Sequence, residues 1–139
     1  MIHGDYHTKN VMMQNGEVLL IDMDTLCTGH PVFEFASMYL AYCGFGELDH
    51  EITRRFLGVS WDTAAIIWKR TLQLYLGTDD ESTINALSEK AQVVGYTRLL
   101  RRTIRRKNEE TEIRQQRIDL CKEHLADLLS RVDSLCFEK

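Results

Sequence analysis

His3-Gly4-Asp5-Tyr6-His7-Thr8-Lys9-Asn10 and, a few residues on, Ile21-Asp22-Met23-Asp24 place two histidines, three aspartates and an asparagine near the start of the chain. Between these polar segments run Val11 to Gln14 and Glu17 to Ile21, rich in Val, Leu, Met and Ile and joined by Asn15-Gly16. Asn-Gly between two apolar runs predicts a β-hairpin, because both central residues of a type I′ turn need positive φ. Antiparallel strands of similar length bring their outer ends together. The hairpin should therefore carry Asn10 and Asp22 to the same end.

Chemically the two segments are complementary. A carboxylate such as Asp5, in a turn preceded by glycine, can take the proton of an attacking hydroxyl when its geometry to the substrate is right. Asn10 offers a neutral carbonyl oxygen and Asp22 a charged one. Oxygen donors of this kind suit a hard cation such as magnesium, held by one or two carboxylates together with waters and substrate phosphates. Three carboxylates so close in sequence repel one another unless a cation neutralises them or their proton affinities move. A divalent metal is the expectation.

The pattern HGDxHxxN, a strand pair, IDxD, and then Gly29, Pro31 and Glu34 opening a helix resembles the catalytic centre of the aminoglycoside phosphotransferase and choline kinase family. The resemblance implies the carboxy-terminal lobe of a protein-kinase-like α+β fold, mainly α with a short β-hairpin. It also implies a small-molecule kinase that moves the γ-phosphoryl of ATP to a substrate hydroxyl, with ATP and Mg2+ as cofactors. By the same resemblance Asp5 is the catalytic base and Asn10 and Asp22 are metal ligands. His3 and His7 brace the loop, Glu34 hydrogen-bonds it from below, and Asp24 supports it or makes a secondary metal contact. The likeness is specific over residues 3–42 and becomes a general helical pattern beyond.

The nucleotide pocket of such kinases also needs an amino-terminal lobe, with a sheet over the phosphates and a lysine on one strand. Gly44-Phe45-Gly46 is a lone GxG with no helix-opening glycine after it. The chain is therefore expected to be a carboxy-terminal lobe apart from its nucleotide-binding lobe, with weak or no ATP turnover by itself. The surface that the other lobe would cover should expose apolar groups and open strand edges, and drive self-association.

At 139 residues, with 44% hydrophobic content and one proline, a single compact helix-rich domain is expected. Residues 1–24 form its catalytic loop, hairpin and metal-binding loop, and residues 25–139 a helical subdomain. A net charge of −4 argues against a general nucleic-acid binder and fits a cationic small-molecule substrate. Cys27, Cys43, Cys121 and Cys136 form no CxxC pair, and no signal peptide or membrane-length apolar run is seen. Free thiols in a reducing cytoplasm are the natural setting.

Beyond the hairpin, Val32 to Cys43 is apolar nearly all round, as a central buried helix would be. Glu34, near its positive end, also reads as a plain helix-end acid. Asp49 caps a helix that Gly58 stops, and Ser60 caps another that ends near Gly77. Trp61 and Trp68 lie on the latter; an aromatic stripe at this spacing is core before it is a substrate pocket. A long helix is expected from Thr83 to Lys107, with Gly95 allowing a close crossing. Its basic residues Arg98, Arg101, Arg102, Arg105, Arg106 and Lys107 read as a solvated face, or more sharply as a phosphate site, though Glu109, Glu110 and Glu112 answer the charge. A last helix, Thr111 to Leu135, should lie antiparallel to it, since Asn108 to Glu110 is a short connection.

Two other functions fit parts of the pattern. One is a non-catalytic scaffold that kept the lobe but not the chemistry. The other is a metal hydrolase built from His3, Asp5, His7, Asp22 and Asp24, although zinc histidines four apart belong on a helix and Gly4 opposes one.

Overall fold

A computed structural model describes residues 1–106 and 110–137. Strands β1 (Val11–Gln14) and β2 (Glu17–Leu20) pair antiparallel, with Val11 opposite Leu20 and Gln14 opposite Glu17. Asn15 and Gly16 have φ of 54° and 84°, so the turn has the backbone that Asn-Gly predicts. Five α-helices follow among the described residues: α1 (Val32–Tyr42), α2 (His50–Leu57), α3 (Trp61–Leu76), α4 (Glu81–Arg105) and α5 (Thr111–Leu129). The fold is mainly α with one β-hairpin, as expected.

The helix boundaries follow local chemistry. Asp49 accepts a hydrogen bond from the Glu51 amide, Ser60 from the Thr63 amide and Asp80 from the Thr83 amide, each satisfying an amide that has no partner inside its helix. Gly58 and Gly77 close α2 and α3 at φ of 78° and 66°. Lys107, Asn108 and Glu109 lie outside the described residues, and with them the last residue of the basic run and most of the connection to α5.

Helix α1 is the centre. Val32, Phe35, Ala36, Met38, Tyr39, Leu40, Ala41 and Tyr42 are all buried, which fixes it between α3 and α4. Phe35 meets Trp68 and Tyr75 edge to face, and Tyr39 meets Trp68 and Tyr96 the same way. Trp68 is core, and its indole donates to Ser88 Oγ at 3.2 Å. Trp61 is half-buried, stacked on His50 and bonded through its indole to the Cys43 carbonyl. Neither tryptophan lines the cleft described below. At Gly95 a Cβ would sit 3.4 Å from the Ala36 carbonyl and 3.5 Å from Leu40 and Tyr39, so α4 does cross α1 closely there.

Helix α5 runs antiparallel to α4: Arg114 donates to the Thr103 and Ile104 carbonyls, His124 stacks on Tyr96, and Arg131 pairs with Glu89. It ends at Leu129 rather than Leu135. The chain turns there so that Val132 and Phe137 return to the core, Phe137 reaching His30 and Phe35. Ile104 of α4 is 51% exposed because buried Thr103 takes the inward position. Cys43 and Cys121 are buried thiols whose ionisation is pushed up, to about 12 and about 11, by burial first and then by the Glu47 carboxylate. Cys27 and Cys136 are exposed and free.

Gly46 has a packing role, which accounts for the lone GxG without any phosphate loop. A Cβ there would lie 2.2 Å from Thr53 Oγ1 and 2.4 Å from Trp61 Cδ1, and Trp61 is held in place on two sides. Gly46→Ala is expected to destabilise the fold by about 1–3 kcal/mol, the usual cost of forcing atoms into a packed core. A urea midpoint unchanged from the parent chain would contradict this.

Candidate active site

The loop between Ile2 and Asn10 is clamped from several directions. At its start, Ile2 and Cys27 exchange backbone hydrogen bonds, tying the first residues to the segment after the hairpin. Gly4 has φ of 84° and lies against Thr25, whose carbonyl oxygen would be 3.0 Å from a Cβ. A side chain is excluded there on both counts. Thr25 Oγ1 donates to the His3 carbonyl at 2.6 Å. From beneath, Glu34 in the first turn of α1 accepts from the His3 amide and, at 3.0 Å, from the Gly4 amide through one oxygen, Oε2. Glu34 is therefore both a helix-end acid and a buttress of the loop, and the two readings do not compete.

His3 is buried and joins the two polar segments. Its Nε2–H donates to the Ile21 carbonyl at 3.0 Å, while its Nδ1 accepts from the Asp5 amide at 3.3 Å. That pair of bonds requires the neutral ring with its proton on Nε2. Asn10, also buried, donates its side-chain amide to the Asp5 carbonyl at 2.9 Å. The Asp5 backbone is thus held at both ends while its side chain stays 56% exposed. His7 is buried against Phe56, with Nε2 3.6 Å from Asp5 Oδ2 and Nδ1 without a partner among the described residues.

The hairpin register carries Asp22 back beside Asn10. The Ile21 amide donates to the Asn10 carbonyl at 3.0 Å, one step beyond the Val11–Leu20 pair, and Asp22 follows at once. Asp22 is exposed, with φ of 60° and ψ of 61°, a left-handed conformation that aspartate tolerates better than most residues but that still costs energy. Asp24 is exposed in the short turn Met23–Thr25 that follows.

These donors fit a magnesium ion. Asn10 commits its amide nitrogen to the Asp5 carbonyl, so its side-chain oxygen is the atom that could serve as a metal donor, and Asp22 adds an accessible carboxylate. An all-oxygen set of one or two protein donors is what magnesium takes beside substrate phosphates. The five-residue zinc-type alternative is not assembled: among the described residues no three His, Cys, Asp or Glu side chains gather as a metal-holding group.

Asp5 opens onto a cleft of about 420 Å³, bounded by His7, Phe45, Phe56, Leu99 and residues of the last turn of α4. A smaller adjoining hollow of about 210 Å³ shares Asp5, Phe45 and Phe56. Together they match the size and apolar walls of small-molecule sites. The sequence reading did not place Phe45, Phe56 or the α4 arginines at this site. The repeat of Arg98, Arg102 and Arg106 every four residues was a usable signal, because that spacing puts them on one helix face.

Among the described residues no helix is long and apolar enough to cross a membrane. Comparison with curated proteins and with solved structures gave no match. A family model does match, that of the phosphotransferase enzyme family, over residues 1–67. That span contains the clamped loop, the hairpin, Asp22, Glu34 and both aromatic walls of the cleft, and a mostly helical body with one hairpin agrees with the carboxy-terminal lobe of the kinase-like fold. Across the stretch that builds its candidate site, residues 1–67, this chain is similar to the phosphotransferase enzyme family.

Proposed function

We propose that the chain is the catalytic lobe of a small-molecule kinase, transferring the γ-phosphoryl of ATP to a hydroxyl of its substrate. The observation that carries this reading is Asp5: an exposed carboxylate, on a backbone clamped by His3 and Asn10, at the mouth of a cleft of small-molecule size. The acceptor oxygen attacks the γ-phosphorus, the bond to the ADP oxygen breaks, and the acceptor's proton passes to Asp5. Asn10 and Asp22 would hold magnesium, which would offset charge on the phosphates. His3, His7 and Glu34 are positioning residues for the loop, and Asp24 supports the turn after Asp22. Because phosphoryl transfer depends on placement and charge neutralisation, a rigid loop is where the fold contributes most.

Magnesium-dependent ADP release with an alcohol panel, measured on this chain and on the longest reading frame containing it, tests the proposal. The expected result is weak or no turnover from the 139 residues and clear turnover from the longer chain. A longer chain that binds ATP yet transfers nothing points to the scaffold reading instead. The four thiols without disulfides suit a reducing cytoplasm.

The hairpin supports a further expectation. Met13 and Val18, register partners, are 65% and 64% exposed, with Leu20 exposed on the same face and Ile21 and Met23 exposed just beyond it. Both outer edges of the two-stranded sheet are open among the described residues. A second copy of the chain can cover that apolar face and extend the sheet, so average mass in sedimentation should rise with concentration. A strictly monomeric profile would contradict this.

A further inference from the structure

We infer that His7 orients the Asp5 carboxylate itself, as a donor through Nε2, and that it does not relay the proton Asp5 collects. The inference rests on the phosphotransferase reading and goes beyond bracing the loop. The two histidines divide the work on residue 5. His3 spends both ring nitrogens on backbone groups, the Ile21 carbonyl and the Asp5 amide. His7 instead turns Nε2 toward the Asp5 side chain, 3.6 Å from Oδ2.

Packing sets the direction of the His7 ring. The residue is buried and meets Phe56 of α2 edge to face at 4.9 Å, while Lys9 lies over the Phe56 ring at 5.2 Å. Its carbonyl accepts from the Asn10 amide at 2.9 Å, which closes the short turn Thr8–Asn10. Nδ1 is shielded from solvent and has no hydrogen-bond partner among the described residues. A proton there would be a buried donor with nothing to accept it, whereas a proton on Nε2 faces a carboxylate. The ring therefore carries its proton on Nε2.

An exposed carboxylate needs such a partner. The Asp5 side chain is 56% exposed, and the last torsion of an aspartate is broad, so a clamped backbone does not by itself aim the two oxygens. At 3.6 Å the contact is electrostatic and longer than a hydrogen bond, and it closes as the reactants tighten the site. With Oδ2 drawn to His7, Oδ1 is left to take the acceptor's proton, and the carboxylate plane is fixed for the transfer. The same geometry rules out a relay: Nε2 already carries a proton, and Nδ1 has no route by which to release one. The proton that Asp5 takes from the hydroxyl passes to water at the open side of the cleft.

Two measurements test this, one of them without any turnover. In this chain labelled with 15N-histidine, long-range 1H–15N correlation should show His7 with a pyrrole-type Nε2 and a pyridine-type Nδ1, and Asp5→Asn should move the Nε2 signal. A proton on Nδ1, or an Nε2 signal indifferent to Asp5→Asn, overturns the inference. In the longest reading frame that contains the chain, His7→Leu is expected to lower kcat for ADP release by about ten- to a hundredfold with little change in the KM for ATP. His7→Gln, whose side-chain amide can also donate to Oδ2, should recover most of that loss. In an Asp5→Asn background His7→Leu should cost less than about twofold, because a residue that acts through Asp5 has nothing left to act on. An equal loss in both backgrounds, or no recovery with Gln, means that His7 only fills space in the loop and overturns the inference. A longer chain that never transfers phosphate sinks the kinase reading, while the NMR result still decides whether His7 holds the Asp5 carboxylate.

Discussion

Asp5→Asn is expected to lower phosphoryl transfer in the longest active chain by about a hundred- to ten-thousandfold, the range that a positioned general base contributes. The substitution keeps the shape of the side chain. It also leaves the loop intact, because the bonds that hold residue 5 are its amide to His3 Nδ1 and its carbonyl to the Asn10 amide, both backbone. Ground-state affinity for ATP should hardly change, since Asp5 opens onto the cleft, which neither Asn10 nor Asp22, the two residues proposed to hold the metal, lines. Steady-state ADP release should thus show a loss in kcat with little change in the KM for ATP. A variant within tenfold of the parent rate would remove Asp5 from the chemistry.

Glu47→Leu should be the most damaging single change to stability. Glu47 is a nearly buried carboxylate whose side chain is 14% exposed, and three groups from three helices converge on it. Tyr39 of α1 donates to Oε1 at 3.0 Å, Tyr96 of α4 donates to the same oxygen at 2.5 Å, and His124 of α5 reaches Oε2 at 2.9 Å while stacking on Tyr96. Removing the acceptor leaves buried hydroxyls with only each other, 2.8 Å apart. A lost charge-assisted bond together with an unsatisfied buried donor costs about 3 kcal/mol. Glu47→Gln keeps one carbonyl acceptor and should cost about half as much. The triple change Tyr39→Phe/Tyr96→Phe/Glu47→Leu should recover most of the loss, because an apolar replacement of a whole network leaves no orphan behind. Urea unfolding of the three proteins measures this, and a Glu47→Leu chain as stable as the parent would refute it.

The same network sets an alkaline limit. Burial first, with the charge of Glu47 for Tyr39 and the charge of Tyr39 for Tyr96, pushes both phenols far above their ordinary value of 10.0. Folded tyrosines keep protons that unfolded ones release near pH 10, so their contribution is full below that pH and declines as pH rises past it.

Much of this molecule was legible residue by residue because local chemistry decided it. Asn15-Gly16 specifies its turn, Asp49 and Ser60 their helix starts, and Gly58 and Gly77 their helix ends, each through bonds or φ values that involve only near neighbours. The all-round apolar pattern from Val32 to Tyr42 marked the central helix for the same reason. Where distant segments compete for one position, the pattern was not enough. Leu135 continues a helical stripe, yet α5 ends at Leu129 because the core takes Phe137.

By itself, then, the sequence determined the hairpin, the five helices in order, and the set of polar residues that the loop and strand ends hold together, since spacing along one chain controls all of these. Only the tertiary structure decided what surrounds Asp5. Arg102 and Arg117 are far apart in sequence and lie on different helices, and their meeting at one cleft depends on the antiparallel packing of α5 on α4. The Glu47 network likewise joins Tyr39, Tyr96 and His124 across three helices. Charge counted along a chain says nothing of where it collects; the packing of distant helices decides which side chains meet at one wall.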